Sequence, residues 1–304
     1  MRKLPLVVAL AAATSLALTA CTDASQPADD AATDTASSAT FDLSSITKDD
    51  AAAALLPADV ADAGTLVVGS NTEYAPAEFI DADGSTPVGY DIDVITAVAQ
   101  TLGLEVEIQS ADFPAIIPAL GSKYDVGISS FTITPERIAE SNMVSYFTAG
   151  EAFSVQEGNP KGLDADDICG ATVAVQTGTV EDEDADTISE KCVADGKDAL
   201  EILRYDNQAD ATTNLVGGKA DIMFADSPIV AYAVEQTGGQ IEQLGDTFAS
   251  APQGIVTAKD DTDLAAAVQA ALQKLMDDGS LESILDVWGS ADGALDTAEI
   301  NPAS

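Results

Sequence analysis

At 304 residues the chain is long enough for about two compact domains, and its 52 acidic and 12 basic residues, with no histidine, give a formal charge of −40. Such a charge repels phosphate backbones and anionic membranes alike and excludes nucleic-acid binding. The lack of histidine excludes histidine-based triads, histidine-ligated zinc and the usual general base near neutral pH, while the acidity itself suits a solvated surface that favours solubility or salt tolerance.

Residues 1–20 read as a signal peptide: Arg2 and Lys3 precede an apolar run from Leu4 to Leu18 that is short for a membrane span. The run closes on Leu18-Thr19-Ala20-Cys21, which resembles the lipobox of bacterial lipoproteins and implies a lipid on Cys21; an ordinary secretory signal with a chance cysteine is the alternative. Residues 22–40 are almost all Ala, Asp, Ser and Thr, the composition of a flexible tether. Asp49, Asp50, an alanine run, Leu55, Leu56 and Pro57 then predict a short lead-in helix, so residues 21–63 form the tether and its junction with the folded body.

From Thr65 the pattern alternates between strand and helix, predicting an α/β fold with open, mostly parallel sheets. Leu66, Val67 and Val68 make a first strand. Ile92, Ile95, Val98 and Leu102 fall at helical spacing, Val106 and Ile108 make a second strand, and residues 113–120 read as a helix. Residues 124–137 run Tyr-Asp-Val-Gly-Ile-Ser-Ser-Phe-Thr-Ile-Thr-Pro-Glu-Arg. Val126 and Ile128 suit a buried strand ending at Ser129 and Ser130; Thr134 then suits an N-cap, Pro135 the first helical position and Glu136 the positive end of the dipole. Arg137 does not fit that dipole. A guanidinium beside free backbone N–H groups, with Ser129, Ser130 and Thr132 at a strand's carboxyl end, points to an anion, and a carboxylate matches its fork best. The plainer reading pairs Arg137 with Glu140 or Asp125 on the surface.

This segment is similar to the Ser-Ser-x-Ser/Thr-x-Thr-x-x-Arg stretch of the polar amino-acid-binding proteins, the family 3 solute-binding components of ABC importers. The resemblance covers roughly residues 64–289. It implies a two-lobe fold of the periplasmic-binding-protein type II class, with residues 64–150 plus 253–304 as one lobe, 151–252 as the other, and two hinge crossings between them. By the same resemblance Arg137 grips a ligand α-carboxylate, and Ser129, Ser130 and Thr132 help to hold the amino acid. The Asn-Thr-Glu-Tyr-Ala-Pro-Ala-Glu segment after the first strand is similar to the family's Asp-x-x-Tyr-x-Pro-Phe-Glu loop: Tyr74 matches, while Asn71 stands where the family often has Asp and Ala77 where it often has Phe, and a neutral Asn71 selects basic ligands less strongly than a carboxylate. Tyr74 and Phe113 are then aromatic walls, unless they are simply core. Asn71, Glu73, Phe113 and Phe131 are expected around the ligand side chain.

In the second lobe, Thr179 follows the strand Ala171 to Val175 and opens a helix, as a second grip on the carboxylate or as an ordinary N-cap. Asp226, between the strand Asp221 to Phe224 and the helix Ser227 to Thr237, suits both a helix start and the ligand's α-ammonium. Cys169 and Cys192 flank one helix of an exported chain, which favours a disulfide over free thiols or a metal site. The resemblance thus implies a monomeric binding protein on a membrane lipid anchor that captures a free amino acid for ABC permease subunits, and it calls for no cofactor, metal or catalytic residue. The alternative is a hydro-lyase resembling cyclohexadienyl dehydratase on the same fold, with Glu73, Glu78 or Glu151 as general acid.

Overall fold

The computed structural model describes residues 41–303. The expected signal peptide, the lipid site at Cys21 and the tether over 22–40 lie outside the described residues. The lead-in is not one helix but two, α1 (Asp50–Ala53) and α2 (Ala58–Ala63), because Pro57 cannot continue the first. Asp49 caps α1 by accepting from the N–H groups of Ala51 and Ala52, and Phe41, Leu43, Ile46 and Leu56 pack on the core.

Strands β1 (Thr65–Ser70), β2 (Glu73–Tyr74), β3 (Glu78–Ile80) and β4 (Pro87–Val88) lead to helix α3 (Tyr90–Leu102). Next come β5 (Glu105–Ser110), the two-residue β6 (Val126–Gly127), α4 (Pro135–Glu140) and the long β7 (Ser141–Gln156). The other half holds β8 (Thr172–Gln176), α5 (Val180–Ala194), β9 (Glu201–Tyr205), α6 (Gln208–Val216), β10 (Ile222–Asp226) and α7 (Ser227–Gln236). Strand β11 (Ile241–Ala258) returns the chain, and α8 (Thr262–Asp277) and α9 (Ser280–Val287) close the fold. Residues 113–120 form two 3-10 turns, Phe113–Ala115 and Ile117–Ala119, instead of the expected helix. Pro114 and Pro118 each remove an N–H donor, so no α-helical ladder spans them.

The main sheet runs β5-β1-β6-β11-β7-β10-β8-β9, and β2, β3 and β4 make a separate small sheet. Within the main sheet β1/β5, β1/β6, β8/β9 and β8/β10 are parallel, whereas β7 pairs antiparallel with β10 and with β11, and β11 with β6. The crossings β7 and β11 pair from Ile241↔Gln156 to Ala258↔Ser141, so they tie both halves into one continuous sheet. Their register shifts between Leu244 and Phe248, between Phe248 and Ala251, and between Gln253 and Gly254. At the bulge the backbone oxygen of Phe248 would lie 2.7 Å from any Cβ on Gly150, so the facing strand needs glycine there. Residues beyond α9 lie back along β7, with bridges Phe147↔Ala294 and Val144↔Ile300.

The core follows from this layering. Val94, Ile95, Val98 and Leu102 of α3 and Leu264, Val268, Leu272 and Leu275 of α8 are fully buried with Leu66 and Val68 of β1. A second cluster joins Val173 and Val175 of β8 to Ile222 and Phe224 of β10. In that half Cys169 and Cys192 are disulfide-bonded. Among the described residues no helix is long and apolar enough to cross a membrane.

Candidate functional site

Strand ends from both halves converge on a small cavity with about 10 Å³ of free volume. That is room for about one water molecule, so with the halves this close a larger ligand enters only when they part. Eight of the eleven residues expected around a ligand line it: Tyr74, Phe113, Ser129, Ser130, Thr132, Arg137, Thr179 and Asp226. Gln176, Val180 and Glu181 complete the lining.

Arg137 enters from α4, whose start is built as its sequence suggests: Thr134 accepts from the Arg137 N–H at 3.2 Å and Pro135 occupies the first turn. The guanidinium donates through Nη1 to the Thr132 carbonyl at 2.9 Å and through Nη2 to the Gly178 carbonyl of the opposite half at 3.2 Å. Its Cζ sits 5.4 Å from the ring centre of Phe113 and 5.8 Å from that of Phe131, two rings stacked at 4.7 Å. Neither surface partner proposed for it is used. Asp125 accepts from the Val67 N–H, and among the described residues no ion pair includes Arg137. Burial lowers its pKa, while Glu181 and Glu183 oppose the shift. It is a desolvated cation whose direct partners are carbonyls and aromatic faces.

Asp226 ends β10. Its side chain makes no cap hydrogen bond to α7, because Tyr74 Oη donates to Asp226 Oδ2 at 2.9 Å. That bond spans the two halves. Burial first, then the charge of Glu181, pushes the Asp226 carboxyl well above the usual range, against the pull of Tyr74 and Arg137. The Tyr74 hydroxyl is raised too, by burial and then by Asp226. Glu181 follows the Thr179 cap by two residues and is 1% exposed. Burial raises its pKa, and its Oε1 has no hydrogen-bond partner. The cavity thus carries one guanidinium and two carboxyls.

Two expected contacts are differently engaged. Thr179 caps α5, accepting from the Asp182 N–H at 3.2 Å while donating to the Gln176 carbonyl at 3.0 Å. The Ser129 hydroxyl donates to Glu78 Oε1 at 2.6 Å and accepts from the Asn71 N–H at 3.1 Å. Asn71 lies outside the lining. Its Nδ2 donates to the Ala111 carbonyl at 3.0 Å, and its Oδ1 accepts from Gln176 Nε2 at 3.2 Å. It is a strut between the halves. Phe131 is buried behind Phe113, and Glu73 is exposed on β2, so neither lines the cavity. The carboxyls suggested for acid catalysis, Glu78 and Glu151, are buried with raised pKa values but also lie outside the lining. Glu181 was missed because an acidic residue in a helix's first turn already has a reason to be there.

A mixed α/β fold whose strand ends meet over a small polar cavity, between halves joined by two crossing strands, defines a binding protein of the periplasmic type. The chain belongs to the bacterial extracellular solute-binding proteins, family 3, which match residues 66–291. An arginine-binding protein of Corynebacterium glutamicum is 37% identical over 250 residues, 82% of each chain. Among solved structures, an ancestral arginine-binding protein bound to arginine aligns with a TM-score of 0.69 at 32% identity, over 74% of this chain and 98% of that one. An ancestral amino acid-binding protein described as a precursor of cyclohexadienyl dehydratase aligns with a TM-score of 0.69 at 31% identity, over 76% and 97%.

Proposed function

We propose that this chain captures a free amino acid with a cationic side chain, such as arginine, and hands it to the membrane subunits of an ABC importer. The observation that carries the reading is the charge of the cavity lining. Arg137 offers unused donors for an α-carboxylate and Asp226 an acceptor for the α-ammonium, which leaves Glu181, with a buried unpartnered oxygen, for a positive side chain. The arginine-binding relatives support the same ligand class. The lobes are residues 64–150 plus 253–304 and 151–252, and the ligand stabilises their closed arrangement because it touches both. The protein works as a monomer, held outside the cytoplasm by a lipid on Cys21.

Binding rather than catalysis is the function. The hydro-lyase alternative draws only on the dehydratase precursor, itself described as an amino acid-binding protein. A thermal-shift screen across the twenty amino acids tests the proposal. At 100 times its dissociation constant a ligand adds about 2.7 kcal/mol of stability, so L-arginine should raise the melting midpoint and acidic amino acids should not. Loss of the function assigned here would be read from a flat profile across all twenty.

A further inference from the structure

Behind the cavity, in the half that carries Arg137, lie two buried carboxyls with no binding role assigned. Glu78 on β3 and Asp91 at the start of α3 are both 0% exposed, and the backbone holds them as neighbours: the Asp91 N–H donates at 2.9 Å to the carbonyl of Ala77, the residue before Glu78, and the adjacent hydroxyls of Ser130 and Ser129 donate to the two carboxyls. Asp91 is surrounded by donors: Oδ2 accepts from the Ser130 N–H at 2.8 Å and from Ser130 Oγ at 3.4 Å, and Oδ1 accepts from the Tyr146 hydroxyl. Glu78 is the reverse. Its Oε1 accepts from Ser129 Oγ, and its Oε2 is buried without a donor. A buried carboxyl oxygen that lacks a donor, beside a carboxylate already supplied with donors, is where a proton belongs.

We propose that Glu78 and Asp91 share one proton, carried on Glu78 Oε2 and donated to Asp91, and that this pair positions Ser129 and Ser130 for the amino acid. The inference rests on the amino-acid-binding reading of the cavity. Two consequences follow from the geometry. Ser130 has φ +48°, in the left-handed region that a side chain rarely adopts. Its N–H bond to Asp91 holds that corner. Ser129 has its one hydroxyl proton committed to Glu78 and one lone pair committed to the Asn71 N–H. What remains is a single acceptor lone pair, which suits an ammonium and not a carboxylate.

The groups facing the pair are Tyr90 beside Asp91 on α3, Ser129 and Ser130 after β6, Tyr146 on β7 and, across the cavity, Asp226 on β10. Among the described residues neither carboxyl forms an ion pair with lysine or arginine. Burial puts Asp91 at about 6 and Glu78 well above its usual range, the second effect on Glu78 being the Asp91 charge. The anion on Asp91 is therefore lost as pH falls through about 6, and the proton on Glu78 is lost as pH rises through its own, higher value. Ligand affinity should decline on both sides.

Glu78→Gln keeps an acceptor for Ser129 and a fixed N–H donor for Asp91, whereas Glu78→Ala keeps neither. Infrared difference spectra of the ligand-free protein against Glu78→Gln should show a protonated carboxyl carbonyl band at neutral pH. In calorimetry with L-arginine, Glu78→Ala should bind at least about tenfold more weakly. Glu78→Gln should recover most of that loss and lack the wild-type protein's alkaline decline, the ligand's own titration being common to both. Absence of the carbonyl band, or the same alkaline decline in Glu78→Gln, would overturn the shared proton and leave the amino-acid reading untouched. A band without binding of any amino acid would overturn that reading instead.

Discussion

Arg137→Ala is expected to weaken binding of every ligand with a free α-carboxylate, whatever its side chain. A guanidinium has five N–H donors. Two are spent on the carbonyls of Thr132 and Gly178, at 2.9 and 3.2 Å, which leaves three, enough for a bidentate carboxylate. Because the group is desolvated against Phe113 and Phe131, its removal leaves the ligand anion buried without a partner. Truncating one member of such a pair costs roughly 2–5 kcal/mol, or about 30-fold to several thousandfold in dissociation constant. Arg137→Lys keeps the charge but loses the fork, and should fall between alanine and the wild type. Calorimetric titration with L-arginine and with L-glutamine measures both variants. The predicted pattern is the same loss for both ligands with a fold that still melts cooperatively. If Arg137→Ala binds within twofold of wild type, the guanidinium is a strut between the halves and the assigned grip on the carboxylate is wrong.

Glu181→Gln should discriminate between ligands: about 1.5–3 kcal/mol lost for L-arginine, the range for a hydrogen bond to a charged group, with little change for L-glutamine. Equal losses for both would remove Glu181 from side-chain recognition. Burial, then the charges of Glu181 and Asp184, raises Glu151 to about 9, so the folded state holds a proton that the unfolded chain has released above about 4.3. The stability this contributes is full below that unfolded value and is lost as pH rises toward 9, by at most ~1.4 kcal/mol per pH unit and less where water reaches the group. Melting midpoints of the ligand-free protein should therefore fall between pH 5 and 8, with a shallower slope in Glu151→Gln; identical slopes would contradict the assignment. Reducing the Cys169–Cys192 bond, which joins residues 23 apart, should cost about 3 kcal/mol or roughly 6–12 °C, and an unchanged midpoint with both thiols verified free would show the bond idle. Cys21→Ser protein should leave the membrane fraction, and its continued partitioning as a lipid-modified species would refute the anchor.

What the sequence made legible was whatever a local pattern encodes. The apolar run Leu66 to Val68 marked β1, Val126 and Ile128 before two serines marked β6, and Thr134-Pro135-Glu136 marked the start of α4 as it is built. The pairing of Ser129 with Glu78, 51 residues away, was not legible, because it depends on two loops meeting across the fold. Asn71 was expected at the ligand for a related reason: its place after β1 is right, but its amide is taken up by Ala111 and Gln176. Asp226 suited both a helix start and a ligand ammonium, and its side chain makes no cap bond because Tyr74 donates to it from the opposite half. Pro114 and Pro118 were visible, yet apolar spacing outweighed them in reading residues 113–120 as one helix.

The paired crossings have a mechanical consequence. From Leu244 to Ala251 strand β11 spends seven steps where β7 spends four, from Phe153 to Ala149, with Gly245 at φ +73° and Ala249 at φ +47° taking up the excess. Strand β11 therefore holds slack that β7 lacks. When the halves part, β7 can act as the pin of a door while β11 unrolls beside it, so the swing is confined to one axis and stops when the slack is drawn out. Amide exchange in residues 245–250 should accordingly run faster without L-arginine than with it, and residues 151–155 of β7 should exchange slowly in both states.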